Sequence, residues 1–198
     1  STHHSVEDMG MLRLIPGLAV LAPGDEKELR SAFHAALDYP GPVYIRIGKK
    51  GEPVVHEAEP NFEIGKALRL REGKEVSILA LGNTLPLAVE AATQLESRGV
   101  SCGVASMGSL KPLDTKLLGD VFTSAKVVAT LEEHSVLGGL GTAVSEWLAV
   151  SSGPAKARLL TFGTPDEFLH ATTHQPSARE WAGLTVEGIT GRILSALG

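Results

Sequence analysis

Alternation between apolar runs and helical segments restricts the fold of this chain more than any other feature. Four runs are long enough for buried strands, and the segments between and after them carry apolar residues at helical spacing. The runs cover 76–81, 100–105, 126–131 and 158–162, and the helical segments cover about 85–98, 114–122, 138–150 and 187–197. Such alternation predicts an α/β fold with an open, mainly parallel sheet and helices on both faces.

A shorter unit of the same kind opens the chain. A strand at 18–21 and a strand at 43–47 flank a helical segment in which Asp25 is placed to cap the helix. The following polar, proline-bearing stretch lacks periodicity and reads as a linker. We therefore predict a partial α/β unit over 1–50, a linker over 51–61 and a complete α/β domain over 62–198.

Composition narrows the functional classes. The formal net charge is −5 without a basic run, so we expect no nucleic-acid partner. No apolar stretch approaches the roughly 18 to 20 residues of a membrane helix, so we expect no membrane span. Cys102 is the only cysteine, which excludes an internal disulfide and a cysteine-based zinc site. We expect Cys102 to be a core residue and the protein to be cytoplasmic.

Candidate chemistry is expected where strands of an open α/β sheet end. Arg46 ends the strand at 43–47 and is followed by Lys49 and Lys50. This cluster suits a phosphate or carboxylate, which an arginine binds through two parallel N–H groups. A solvated strand end is the alternative interpretation of the same residues.

A second candidate is the polar set Glu132, Glu133 and His134, which precedes a glycine-rich helix start at 138–141. Free N–H groups at a helix start bind anions. The dinucleotide fingerprint is incomplete because Val144 stands where its last glycine belongs. We therefore favour a polar network at the strand end, with glycines that permit close packing.

Histidines form the third candidate. His3 and His4 are adjacent, and an imidazole there suits proton transfer or hydrogen bonds to a polyol, although a terminal pair is also common as inert surface. His170 and His174 have the spacing of one helix turn, but no glutamate follows the first histidine. The sequence gives no firm metal site.

Several motifs together resemble one known family. They are the stretches Thr2 to Leu18, Ala22 to Asp25, Gly41 to Arg46, Lys111 to Asp114 and Thr130 to Gly141. The chain is similar in these stretches to the transketolase family: the first 50 residues resemble the end of its pyrimidine-binding domain, and the rest resembles its C-terminal domain.

The resemblance implies a parent enzyme that transfers two-carbon ketol units between sugar phosphates, as in the pentose phosphate pathway. Thiamine diphosphate and Mg²⁺ would be its cofactors. By position, His3 matches the catalytic histidine that faces the donor sugar, and Arg46 matches the arginine that binds the substrate phosphate. His4 and Ser5 depart from the glutamine and proline that transketolases often have there, which leaves the sugar open.

The resemblance also implies what other parts of the family's structure supply. The glutamate that activates the cofactor and the aromatic platform under its ring belong to the region before residue 1, and another domain holds the diphosphate and the metal. We therefore expect this chain alone neither to bind thiamine diphosphate well nor to catalyse. A homodimer or a complex with an N-terminal transketolase subunit is the expected assembly.

Two alternatives stay open at this point. One is a piece of a deoxyxylulose-phosphate synthase or of the beta component of a 2-oxo acid dehydrogenase, although Arg46 argues against the dehydrogenase. The other is a non-catalytic α/β module for subunit assembly or ligand binding.

Overall fold

A five-stranded sheet forms the larger part of the molecule. The computed structural model describes residues 5–48, 51–170 and 174–198. The sheet has the order β3-β5-β4-β7-β8, and its strands are β3 (Leu68–Arg71), β4 (Val76–Leu81), β5 (Cys102–Ser106), β7 (Val127–Ser135) and β8 (Arg158–Thr164). Strands β5, β4, β7 and β8 are parallel, whereas β3 lies antiparallel at one edge. The mainly parallel sheet is therefore confirmed.

Helices cover both faces of this sheet, as predicted. They are α3 (Leu85–Ser97), α4 (Thr115–Ser124), α5 (Leu140–Val150) and α7 (Val186–Leu197). Buried residues of α4 and α5 belong to one apolar cluster, and those of α3 and α7 belong to a second. Strand β4 is buried along its whole length between them, which explains why its sequence is apolar except at Ser77 rather than alternating.

Strand β7 is longer than the sequence predicted. The apolar run ends at Leu131, but the strand continues to Ser135 through Glu132, Glu133 and His134. Because the prediction used apolar content alone, it ended the strand four residues before its observed end. The strand extends because these polar side chains find partners within the fold, as described below.

A second, smaller sheet contains two strands from residues 19–45 and one strand from the larger domain. Its order is β2-β1-β6, from β1 (Ala19–Leu21), β2 (Val43–Ile45) and β6 (Ser109–Lys111). Strands β1 and β2 are parallel, and β6 pairs antiparallel with β1. Because β6 follows β5 along the chain, the two parts of the molecule share backbone hydrogen bonds. The predicted strand at 43–47 ends two residues early.

Helix α2 (Glu26–Leu37) packs beside this small sheet. The Asp25 side chain accepts a hydrogen bond from the Glu28 N–H, which confirms the predicted cap. The second oxygen of the same carboxylate accepts N–H bonds from Val55 and His56, each 2.8 Å long. Asp25 therefore also fixes the stretch that the sequence marks as a linker.

Helices α1 (Asp8–Leu12) and α6 (Gln175–Trp181) complete the fold. Cys102 is buried, as predicted, and burial raises the pKa of its thiol to about 12. Among the described residues, no helix has the length and apolar character needed to cross a membrane.

Candidate functional site

The carboxyl ends of β2 and β7 meet helix α1 at one edge of the molecule. Arg46, directly after β2, donates from one terminal nitrogen to the backbone oxygen of Glu133, at 2.9 Å. The contact joins residues 87 positions apart. The structure thus brings together the arginine and the Glu-Glu-His set that the sequence identified separately. His3, His4, Lys49 and Lys50 lie outside the described residues.

Arg46 is fixed by its surroundings on three sides. Its other terminal nitrogen donates to the backbone oxygen of Ser5 at 2.7 Å, and its Nε lies 3.7 Å from a carboxylate oxygen of Asp8. The side chain keeps 23% exposure. Because a guanidinium has five N–H donors, these contacts leave donors on both terminal nitrogens for a further acceptor.

Tyr44 orients the carboxylate beside Arg46. Its hydroxyl donates to Asp8 at 2.7 Å. Burial and this bond to a carboxylate raise the pKa of Tyr44 to about 12. The other oxygen of Asp8 is buried and has no hydrogen-bond partner in the described structure. Arg46 therefore lies beside a carboxylate that has partners on only one of its two oxygens.

Glu132 binds the helix start at 138–141, for which the sequence favoured a polar network over an anion site. Its two carboxylate oxygens accept the N–H groups of Leu140 and Gly141, at 2.7 and 2.8 Å. Burial raises the pKa of Glu132 to about 7, while the two N–H bonds act in the opposite direction. The N–H groups of this helix start are thus used by the protein's own carboxylate.

His134 is buried beside Glu132 and reaches α1. Its Nε2 accepts the N–H of Gly10 at 3.0 Å, and its Nδ1 lies 2.8 Å from the backbone oxygen of Ser135. Since Nε2 accepts, Nδ1 carries the proton and donates, and the ring is neutral. Burial lowers the pKa of His134, which favours the same neutral form.

Glu133 points toward helix α6 rather than toward Arg46. Its carboxylate accepts from Arg179 at 2.6 Å and from the Gln175 amide at 3.0 Å. Arg179 also donates to the backbone oxygen of Asn83, at the end of β4. The backbone oxygen of Glu133 therefore binds Arg46, while its side chain binds Arg179, which links the residues at the ends of β4 and β7.

Sequence reasoning missed four residues of this cluster: Asp8, Tyr44, Gln175 and Arg179. Asp8 and Tyr44 lie within the family-like stretches, but no spacing rule indicated that they would meet. Gln175 and Arg179 lie one helix turn apart on α6, an element that was not predicted. Only the fold shows that these side chains converge.

Arg46 gives this edge a group that can bind an anion. In the ranges 5–48, 51–170 and 174–198, no three His, Cys, Asp or Glu side chains are grouped to hold a metal ion. The Arg46 guanidinium is a cation at this edge, and it keeps unused N–H donors on both terminal nitrogens. This arrangement suits an anionic group on a substrate.

Comparison with known proteins assigns the class. The sequence profile of the transketolase pyrimidine-binding domain matches residues 1–52, and that of the transketolase C-terminal domain matches residues 65–189. The chain therefore belongs to the transketolase family, whose members depend on thiamine diphosphate. It corresponds to the C-terminal section of such enzymes.

Individual relatives carry different names. The 1-deoxy-D-xylulose-5-phosphate synthase of Chlorobium luteolum is 40% identical over 97% of this chain and 30% of its own length. One subunit of the apulose-4-phosphate transketolase of Phocaeicola vulgatus is 37% identical over 96% of this chain and 59% of its own. A solved split gene transketolase, described as an inactive beta4 tetramer, matches with a TM-score of 0.91 and 38% identity over 99% of this chain and 63% of that one. The chain thus spans 30 to 63% of the length of these relatives.

Proposed function

We propose that this chain supplies the substrate-phosphate side of a transketolase-type active site, in an enzyme that transfers two-carbon ketol units between sugar phosphates. The proposal rests on the placement of Arg46. Its guanidinium is held at the carboxyl end of β2 by two backbone oxygens and retains unused N–H donors. A fixed, partly exposed guanidinium is preorganised for a phosphate.

The cofactors belong to the complete site. By the family resemblance, thiamine diphosphate supplies the carbanion that accepts the ketol unit, and Mg²⁺ holds its diphosphate. We propose that an N-terminal transketolase section, separate or fused, binds both. This chain would contribute Arg46 and, by its matching position, His3, which would exchange hydrogen bonds or protons with the sugar hydroxyls.

The proposed function also implies an assembly and a cellular location for the enzyme. Relatives named as a transketolase subunit and as a split gene transketolase support a complex with an N-terminal partner. We propose that two such complexes form a dimer, with the active site between copies, and that the enzyme works in the cytoplasm.

The experiment measures ketol transfer in the complex of this chain with its N-terminal section, using one phosphorylated and one phosphate-free acceptor. Arg46→Gln should raise KM for the phosphorylated acceptor roughly 10- to 100-fold, because a charge-assisted hydrogen bond contributes about 1.5–3 kcal/mol. KM for the phosphate-free acceptor should change little. Arg30→Gln, at an exposed arginine on α2, is the matched control.

An equal rise in KM for both acceptors would show that Arg46 acts only by holding the fold. Arg46→Lys separates charge from shape: it keeps the cation but loses the planar pair of donors. We expect its KM to fall between those of the wild type and Arg46→Gln.

A second candidate function is that of a 1-deoxy-D-xylulose-5-phosphate synthase. The Chlorobium relative of that name is 40% identical to this chain, whereas the apulose-4-phosphate transketolase subunit is 37% identical. The complex would then form 1-deoxy-D-xylulose 5-phosphate. Product analysis decides between the two when the complex is also given a 2-oxo acid, because the methyl end of a 1-deoxy sugar cannot come from a ketol unit and requires a two-carbon unit left by decarboxylation. Formation of that compound, with no ketol transfer, would replace the transketolase proposal.

A further inference from the structure

Helix α1 and the residues before it make hydrogen bonds both to the larger sheet and to the surroundings of Arg46. Toward the sheet, the Gly10 N–H donates to His134, and the Ser135 N–H donates to the backbone oxygen of Val6 at 2.7 Å. Toward β2, Asp8 accepts from Tyr44. A displacement of α1 would therefore be transmitted to the surroundings of Arg46.

The contact between His134 and α1 leaves little freedom for movement. A Cβ atom on Gly10 would lie 3.0 Å from Cε1 of the His134 ring and 3.2 Å from the backbone carbon of Gly138. The backbone of α1 thus rests directly on the imidazole. No side chain larger than that of glycine fits at this point without a shift.

The ring is also in close contact with the start of α5. A Cβ atom on Gly139 would lie 2.7 Å from Nδ1 of His134 and would overlap the carboxylate of Glu132. Glu132 is itself fixed by the helix start of α5. The His134 ring, which is fully buried, is therefore held between α1 and α5 in one orientation.

Arg46 depends on α1 for two of its three contacts. Its Nε faces Asp8, the first residue of α1, and one terminal nitrogen donates to Ser5, which precedes the helix. Its third contact is the backbone oxygen of Glu133, the residue before His134 on β7. The same strand end therefore fixes both α1 and the arginine.

We propose that His134 is a positioning residue, which holds α1 through the Gly10 N–H and thereby sets the position of the Arg46 guanidinium for the substrate phosphate. The inference rests on the function proposed above for Arg46. His134 is fully buried, and its effect passes through α1.

Three variants test the role. His134→Asn keeps a polar side chain but is too short to reach Gly10. In His134→Gln, the amide oxygen reaches the place of Nε2 and can accept the Gly10 N–H. Val127→Ala, at the start of the same strand and in the apolar cluster on the other face, lowers stability without touching α1.

The first measurement uses the isolated chain and does not depend on activity. In amide hydrogen exchange at neutral pH, His134→Asn should speed exchange of residues 6–13 roughly tenfold or more relative to the rest of the chain. His134→Gln should restore most of the protection. Val127→Ala should raise exchange across the sheet without singling out α1, and equal patterns for His134→Asn and Val127→Ala would overturn the proposal.

Tyr44 provides an independent spectroscopic signal. A Tyr39→Phe background leaves Tyr44 as the single tyrosine, so absorbance of the phenolate reports its pKa alone. Burial is the largest cause of the raised pKa of Tyr44, and the bond to Asp8 adds to it. If α1 moves in His134→Asn, Asp8 leaves the hydroxyl, and the pKa of Tyr44 should fall below about 12. An unchanged pKa in that variant would contradict the proposal.

The complex supplies the functional readout. His134→Asn should raise KM for the phosphorylated acceptor roughly tenfold while KM for the phosphate-free acceptor stays near that of the wild type, and His134→Gln should recover most of the loss. If the wild-type complex shows no ketol transfer, the proposed function fails, yet the exchange and Tyr44 results still decide whether His134 positions α1. If activity is present and His134→Asn changes neither KM nor exchange, the positioning role alone is wrong.

Discussion

The two sheets of this molecule are stabilised differently. The five-stranded sheet buries β4 completely, and helices cover both of its faces. The three-stranded sheet has strands of three residues each. One of its faces buries a small apolar cluster of Leu21, Ala32 and Phe62, and on the other face Val20 and Leu110 join an apolar cluster of the larger sheet. Its helix α2 leaves Phe33 and Leu37 exposed. The smaller sheet therefore has little apolar core of its own and shares that of the larger sheet.

Buried hydrogen bonds attach the smaller sheet and its helix α2 to the rest of the molecule. Asp25 fixes the linker, and Glu28, fully buried, accepts hydrogen bonds from the Gly24 N–H and from the Ser106 hydroxyl on β5. Burial raises the pKa of Glu28, as it does for Glu132. The joint between the two parts and the carboxyl end of β7 should therefore respond to charge and pH, whereas the apolar core of the larger sheet should respond to changes in side-chain volume.

The largest effect is expected from a cavity in the larger core. Phe122 is buried on α4, and its ring lies 5.8 Å from that of Trp147. Phe122→Ala should lower the free energy of unfolding by about 3–5 kcal/mol. Phe33→Ala, at a residue 55% exposed on α2, should change it by about 0.5 kcal/mol or less. Urea unfolding measures both, and equal costs would remove the contrast between the two sheets.

A pH-dependent effect is expected at Glu132. Its native pKa of about 7 lies above its ordinary 4.5, so between these pH values the native state keeps a proton that the unfolded state has released. Wild-type stability should therefore fall as pH rises through this window, relative to Glu132→Gln, by on the order of 3 kcal/mol. Urea unfolding of both proteins at pH 5 and pH 8 tests this. A difference that stays constant with pH would show that burial does not govern the carboxyl.

A smaller loss is expected when the linker contact is weakened. Asp25→Asn keeps one acceptor oxygen but cannot satisfy the N–H groups of Glu28, Val55 and His56 together, which should cost about 1–3 kcal/mol. The linker should also become more sensitive to protease. Asp38→Asn, at an exposed position after α2, is the matched control. If both variants resist protease equally, Asp25 does not hold the linker.

Asp25 also has a defined pH direction. Burial opposes its charge, but bonds from the Glu28, His56 and Val55 N–H groups outweigh burial and hold the pKa of Asp25 below its ordinary 3.8. The stability from this carboxylate is therefore present above about pH 3.8 and is lost as pH falls below that value.

The smallest effect is expected at the surface. Arg30 on α2 pairs with Glu59 at 2.8 Å, and both side chains are more than half exposed. Solvent screens such a pair, so Arg30→Ala should cost about 0.5 kcal/mol or less. A loss as large as that of Asp25→Asn would mean that surface ion pairs, rather than buried polar groups, attach the linker.

Hydrophobic periodicity predicted the larger sheet well because its strands and helices follow simple rules. The run at 76–81 became β4 with the same bounds, and Asp114 caps α4 through the Leu117 N–H as its position suggested. Strands β3 and β6 were missed. The first carries alternating Leu and Arg at an edge, and the second has three residues that are defined by pairing with β1.

The candidate site was only partly predictable. Strand ends pointed to Arg46 and to the Glu-Glu-His set, but their meeting depends on packing between distant segments. The N–H groups after Gly139 looked free in sequence and are occupied by Glu132. Roles for His3 and Arg46, and the division at residues 51–61, stay predictions.

The most direct test of the central claim is calorimetric titration with thiamine diphosphate and Mg²⁺. The titration is made with this chain alone, with the N-terminal transketolase section alone, and with their equimolar mixture. We expect little or no binding by this chain alone, and tight binding with ketol transfer in the mixture. Tight binding by this chain alone, or a mixture that binds no better than the N-terminal section and does not react, would contradict it.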